Sequence, residues 1–395
     1  MRSFILTTLG LICFAVPAWP REAFNRSADI ESGTPREKTV GTIGGIHGRV
    51  SSIFGFKPPQ VEVWNLDKEE KIGPKSVNSI EWIVDIDRAA KTFRTAGCSN
   101  RRFFFRTIGF DGKCREKETF AAKPPALAID PSAVAWDDVG HSCIYYDEST
   151  RAIRRHDFVE GKNEVLAPEL DFEEVLLTRL DHDRLLVSIT LDNSETASWG
   201  TSIASFDVNT RKLEKLAVGV LIETIVKHQA ALSPSGKYFA FISCGSLRVL
   251  DVPNRNVFTL VSKSERDEAS VEELHWSPDG SAILFSMSSA IEIARETYTS
   301  EWSANMIKLA DRQVLKMATT PSGAVMTAGP FSLDSDRIIY EYDIREGGLS
   351  GEKVCLTVYN IKSQREEKRL ERVWNKLLVD VLDGHNLLFG PPDCF

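Results

Sequence analysis

The sequence predicts an all-β fold: a β-propeller of seven four-stranded blades, the last blade closed by strands from the N-terminal side. Three observations predict it. A tight-turn phrase recurs at near-constant spacing, a second turn phrase alternates with it, and each end of the chain carries only one of the two.

The first phrase is clearest in "HWSPDGSAILF" (275–285) and "ALSPSGKYFAF" (231–241). Proline presets φ for a tight turn, Asp or Ser satisfies the turn's backbone donors, and Gly tolerates left-handed geometry. The apolar run that follows suits a strand buried on both faces. Weaker copies are "VAWDDVGHSCIYY" (134–146), "LTRLDHDRLLV" (177–187), "PFSLDSDRIIY" (330–340) and "LVDVLDGHNLLF" (378–389). Aligned on Gly280, the matching positions are Gly140, His182, Gly236, Gly280, Ser335 and Gly384, at intervals of 42, 54, 44, 55 and 49 residues. Strand-like units of that period indicate a propeller.

The second phrase is a strand that ends in an Asx residue, then a polar turn and another strand. It occurs as "VEVWNLDKEEKI" (61–72), "IGFDGKCREK" (108–117), "IRRHDFVEGKNEVL" (153–166), "IASFDVNTRKLEKL" (203–216), "LRVLDVPNRNVFTL" (247–260) and "LTVYNIKSQREEKRL" (356–370). The Asx residues are Asn65, Asp111, Asp157, Asp207, Asp251 and Asn360, and "MIKLADRQVLKM" (306–317) carries Asp311 slightly displaced. An Asx side chain at a strand end accepts the backbone donors of the following turn. Two hairpins make a four-stranded unit. Six complete units follow at roughly 79–119, 131–167, 173–217, 225–261, 271–318 and 323–370. Residues 58–74 hold only the second phrase and 376–390 only the first. Together they make a seventh blade, which closes the ring and removes its open edges. Residues 41–395 therefore read as one domain, although 395 residues would by length alone suggest two or three.

Ahead of the repeats, "MRSFILTTLGLICFAVPA" (1–18) reads as a secretory signal peptide: Arg2, an apolar stretch, then small residues before the expected cut after Ala18. Residues 19–40 are polar and Pro/Ser-containing and read as a flexible lead. An exported protein, periplasmic or extracellular, is expected, with no membrane span. The formal net charge of -8 argues against a general nucleic-acid binder. Six cysteines follow the signal segment, and none forms a C-x-x-C pair. Cys98 and Cys394 fall on one face of neighbouring blades, so a disulfide between them is expected to pin the C-terminus. Cys143 falls in a buried strand and reads as an inert thiol.

The two clearest units, "LSPSGKYFAF" and "WSPDGSAILF", each followed by a strand ending in Asx, resemble the WD40-like repeats of TolB-type propellers. That resemblance implies the architecture and a tendency to serve as an exported binding scaffold. The Gly-His…Trp-Asp signature of eukaryotic WD40 repeats is absent, and residues 19–40 are too short for the extra N-terminal domain of TolB.

Little in the sequence points to catalysis. No G-x-S-x-G occurs, and "GTIGGIHG" (41–48) lacks the βαβ setting of a phosphate loop. Of the seven histidines, His141, His156, His182 and His385 fall in or beside turns, without metal-ligand spacing. His228 and His275 lead into innermost strands. Glu272 and Glu273 precede an innermost strand near the expected channel mouth. Insertions between the second and third strands, at 191–200, 288–302 and 344–352, emerge on one face, where repeat proteins place binding residues. Trp199, Tyr298 and Trp302 lie on these insertions as candidate anchors; residues 290–297 also fit a short helical turn. The expected binding set is thus Trp199, Tyr298, Trp302, Glu272, Glu273 and His228, in a monomeric, non-enzymatic scaffold for a protein or peptide partner. No cofactor is implied, and a structural or channel-bound calcium stays open. Two alternatives stand beside it: a metal-dependent lactonase, lyase or cyclotransferase acting at the channel, and a glycan or small-molecule sensor.

Overall fold

The computed structural model describes residues 61–74, 81–99, 102–120, 134–136, 141–170, 174–181, 183–191, 200–217, 229–263, 269–294, 297–344, 353–373 and 377–390. The signal segment, the lead, Trp199, His228 and Cys394 lie outside these residues, as does the side chain of Cys98. Every regular element among the described residues is a strand, and the strands form seven antiparallel sheets of four. No described helix is long and apolar enough to cross a membrane.

Six sheets are built from consecutive strands. Blade 1 comprises Glu81–Asp87, Thr92–Ser99, Arg102–Gly109 and Cys114–Phe120. Blades 2 to 6 follow over 134–167, 174–217, 230–261, 270–319 and 325–373. Blade 7 takes its inner strands, Leu377–Val381 and Asn386–Gly390, from one end of the chain and its outer strands, Glu62–Asn65 and Glu70–Gly73, from the other. Val63 pairs with Leu388 and Asn65 with Asn386 across that junction. The predicted closure is what the chain adopts.

Burial follows position within the blade. Second strands such as Ser142–Asp147 and Tyr238–Ser243 are buried almost throughout, whereas the outer strand Cys114–Phe120 is mostly exposed. The core lies between blades: Leu176 and Leu186 of blade 3 pack with Phe239 and Phe241 of blade 4. Cys143 is fully buried, as expected of a core thiol.

The two turn phrases work as their chemistry requires. In blade 5 the Asp279 carboxylate accepts the Ser277 hydroxyl at 2.6 Å and the Ser281 N–H at 3.0 Å. These bonds, that from Ser277 foremost, hold its pKa below the ordinary range. Asp181, Asp334 and Asp383 take the N–H groups of the second and third residues after them in the same way. In all seven blades the last residue of the third strand faces the first residue of the second. Five of these residues are Asn65, Asp157, Asp207, Asp251 and Asn360, each accepting the N–H three residues ahead. Blades 1 and 5 differ from the sequence reading. Gly109 and Lys308 occupy the register position, and Asp111 and Asp311 lie further on, each accepting a donor two residues ahead.

Neighbouring blades are also tied by polar bonds at the ends of their inner strands. Trp276 Nε1–H donates to the Ala231 carbonyl at 2.9 Å, and Arg179 Nη1 to the Trp136 carbonyl at 3.1 Å. At the closing seam Arg88 donates to the carbonyls of Val381 and Leu382 at 2.5 and 3.1 Å and meets Asp380 at 2.9 Å. Arg88→Ala removes these bonds and leaves the Asp380 carboxylate at the seam. The expected cost is about 1–3 kcal/mol, discounted for partial exposure. It is read as a lower urea midpoint at neutral pH, while Lys162→Ala on the blade 2 surface leaves the midpoint unchanged.

Candidate functional site

The wall between blades 5 and 6 holds the chemistry that the repeat does not require. The inner strand of blade 5, Ser270–Trp276, is bulged between Val271 and Glu273. The extra residue re-aims Glu272 and Glu273 relative to a regular strand. Glu272 accepts the Ser288 hydroxyl at 2.7 Å. The backbone N–H of Glu273 donates to Ser286 Oγ at 3.1 Å. Across the seam, Glu273 Oε2 accepts the backbone N–H of Gly329 at 3.1 Å.

Gly329 makes that contact available. It sits at a bulge in the inner strand of blade 6, with φ of 93°. A Cβ there would approach the Ile339 carbonyl oxygen and the Phe331 ring at 3.1 Å, so both backbone conformation and space favour glycine. Glu341 lies behind it on the second strand of blade 6, fully buried, and accepts the Thr327 hydroxyl at 3.4 Å. His275 is half-buried and lies against the Phe331 ring of the next blade, with centroids 4.0 Å apart.

These surroundings raise the Glu273 carboxyl to about 8. Enclosure is the main cause, opposed by the Gly329 N–H and reinforced by the charges of Glu341 and Glu272. Glu273 is therefore mostly a neutral acid at pH 7, serving as a tie between blades. Among the described residues no group of three His, Cys, Asp or Glu side chains could hold a metal ion.

A second constellation lies in blade 2. Cys143 pairs across the ladder with His156, whose Nδ1 lies 2.7 Å from Asn163 Oδ1. The residue types suit a thiol nucleophile with an oriented base. Burial excludes that use here: it drives the thiol pKa up and the imidazole pKa down, leaving both neutral. His156 instead packs edge-on against Phe158.

The insertion at 288–302 departs from the expected loop. Its two limbs are strands, Ala282–Ala294 and Thr297–Lys308, paired from Ala282–Lys308 out to Ala294–Thr297. Residues 290–294, whose sequence also fits a helical turn, lie in the first of these strands, because cross-strand pairing overrides local helix preference. The inner strand of blade 5 pairs with this hairpin only as far as Ser288, and the outer strand only as far as Ser303. Gly323 N–H also reaches the Ser300 carbonyl at 3.4 Å. Beyond these points the hairpin extends as a two-stranded ribbon, with no further ladder partner among the described residues. It leaves the blade on the face of the Glu272 mouth, opposite the turn phrases.

Trp302 is not an exposed loop anchor. It faces Ser288 across the ladder and packs half-buried against the core shared by blades 5 and 6, including Leu284 and Tyr340. The extended strand turns this position toward the neighbouring blade. Tyr298 lies in the ribbon opposite Glu292, its side chain outside the described residues. The sequence reading missed Glu341 and Gly329. The signal for the first was an acid inside the apolar run "RIIYEYDI", 337–344.

No family model matches this sequence, and no curated protein matches it. Solved structures do. Oligogalacturonate lyase in complex with manganese aligns over 85% of this chain and 96% of that chain, with a TM-score of 0.53 and 10% identity. The oligogalacturonate lyase of Vibrio parahaemolyticus aligns over 84% and 97%, with a TM-score of 0.49 and 10% identity. TolB from Acinetobacter baumannii aligns over 91% and 87%, with a TM-score of 0.37 and 14% identity. The class of protein is thus a seven-bladed β-propeller with TolB and lyase propellers among its structural neighbours. At this identity the likeness is one of fold.

Glu273→Gln isolates the buried acid. In the folded state the carboxyl keeps its proton to about pH 8, whereas unfolded it ionises near 4.5. Wild-type stability therefore falls as pH rises between these values and is flat above. The glutamine variant keeps the acceptor for Gly329 and lacks that penalty. It should be more stable by about 2–4 kcal/mol at pH 8.5 and nearly equal to wild type at pH 4.5, read by urea unfolding at both values.

Proposed function

We propose that this chain is an exported, non-enzymatic propeller scaffold that binds a protein or peptide partner through the face carrying the blade 5 ribbon. One observation carries the reading: the hairpin of blade 5 runs past both of its blade neighbours, with no further ladder partner among the described residues. Unpaired strand edges offer backbone donors and acceptors to an incoming strand. The mouth beneath it presents the carboxylate of Glu272, half-buried and bonded to Ser288. The partner segment is accordingly extended and carries basic side chains. Tyr298, Trp199 and His228 are its proposed contacts; Trp199, His228 and the side chain of Tyr298 lie outside the described residues. Glu273 and Trp302 support this surface from below.

The test shortens the ribbon and leaves the blade intact. Residues 291–299 are replaced by Asn-Gly, which closes a two-residue hairpin between Ala290 and Ser300. The partner is identified by capture from the native envelope fraction, then purified, and its affinity is measured for both proteins. The shortened variant should retain its unfolding midpoint and bind at least about tenfold more weakly. Equal affinity of the two proteins rejects this face.

A further inference from the structure

We infer that the closing seam between blades 7 and 1 forms a second binding site, on the turn face, for a small organic anion carrying carboxylate or phosphate groups. A cleft of about 650 Å³ opens there, lined by turns from both blades. That volume lies within the range of small-ligand sites, ~300–1,000 Å³. Its charge opposes that of the chain as a whole, which is -8. Four cations, Lys68, Lys91, Lys113 and Arg115, line it against two carboxylates, Asp111 and Asp383.

Both carboxylates are already committed to their turns. Asp383 accepts the backbone N–H groups of His385 and Asn386 and the side-chain amide of Asn386. Asp111 accepts the Lys113 N–H at 3.1 Å and Arg115 Nη2 at 2.9 Å. Lys113 Nζ also lies 3.6 Å from Asp111 and Lys68 Nζ 4.0 Å from Glu70, so the cleft owes its positive sign to Lys91 and to the excess of cations over carboxylates in its lining, and Phe110 and Ile72 add an apolar wall.

A departure from the repeat creates this arrangement. Five blades carry Asn or Asp at the end of the third strand, but blade 1 carries Gly109. A Cβ at Gly109 would lie 2.5 Å from Asp111 Oδ1 and 2.9 Å from Arg115 Nη2. The missing side chain gives the guanidinium its place beside the cleft. The adjoining wall is equally tight: a Cβ on Gly73 of blade 7 would sit 2.2 Å from the Gly112 carbonyl oxygen of blade 1. A ligand here touches both chain ends of the closed ring and would stabilise the closure by mass action.

Gly109→Asp tests the site by introducing the Asx residue type that five of the other six blades carry at this position. The full-length protein is titrated calorimetrically with citrate and, separately, with inorganic pyrophosphate at about 0.15 M salt. Saturable one-to-one binding of at least one probe is expected; citrate alone indicates a carboxylate ligand, and pyrophosphate alone a phosphate ligand. Gly109→Asp should weaken it by about tenfold and Lys91→Gln by about three- to tenfold, while Lys212→Gln on blade 3 leaves it unchanged. If Gly109→Asp fails to fold, Lys91→Gln decides the outcome. No saturable binding of either probe, unchanged binding in Lys91→Gln, or equal weakening by Lys212→Gln overturns the proposal.

Discussion

Pairing of Glu62–Asn65 with Asn386–Gly390 is the constraint on which the rest of this structure depends. Each blade buries its faces only against two neighbours, so an open array would leave two faces and two edges uncovered. Joining the chain ends within one sheet removes both. Val61 and Val63 then pack with Phe93, Ile108 and Phe110 of blade 1 in a core that exists only in the closed ring. The seam also carries a polar tie, Arg88 bonding to two carbonyls and a carboxylate at once. Closure between sequence-distant segments costs chain entropy that local hairpins do not, and the paired ladder and buried seam core offset it.

The repeat was legible because turn chemistry is local. Ser277, Asp279 and Gly280 specify their hairpin without help from elsewhere, and so do Asp181 and Asp334 in theirs. In blade 1 the stretch "WIVDIDRAAKTF" (82–93) lacks both Pro and Gly. Its hairpin forms through equivalent geometry: Asp87 accepts the Ala90 N–H at 2.8 Å, and Lys91 takes the left-handed conformation, φ 53°. The exchange of Gly109 for an Asx residue escaped notice because Asp111 follows so closely. Only the ladder register separates the two positions.

Less of the candidate site was legible. Glu272 and Glu273 stood out as an acidic pair before an inner strand, but their surroundings come from the neighbouring blade. Gly329 and Glu341 lie 56 and 68 residues from Glu273 in sequence. Such a contact is set by how two sheets stack, and no turn phrase encodes it. Residues 290–297 misled in the opposite way. Their Ala, Glu and Arg content favours a helix locally, and pairing with the limb from Thr297 holds residues 290–294 as a strand.

A repeat fold separates structural from functional residues more cleanly than most folds. A residue that recurs in register, such as Asp207 or Asp251, is explained by the turn it completes, because the same bond serves in blade after blade. The departures lack that explanation. Gly109 forgoes the Asx anchor that five blades keep, and the ribbon beyond Ser288 leaves strand edges without neighbours among the described residues. The inner-strand bulge at Glu272 is no such departure, because blades 1, 6 and 7 carry one too. The ribbon lies on the face opposite the turns and Gly109 on the turn face at the seam. A stiff ring can hold two distinct surfaces this way, one built around an extended ribbon and the other around a compact cleft. Each blade is anchored to its neighbours and not to the far face, so changes on one side need not disturb the other.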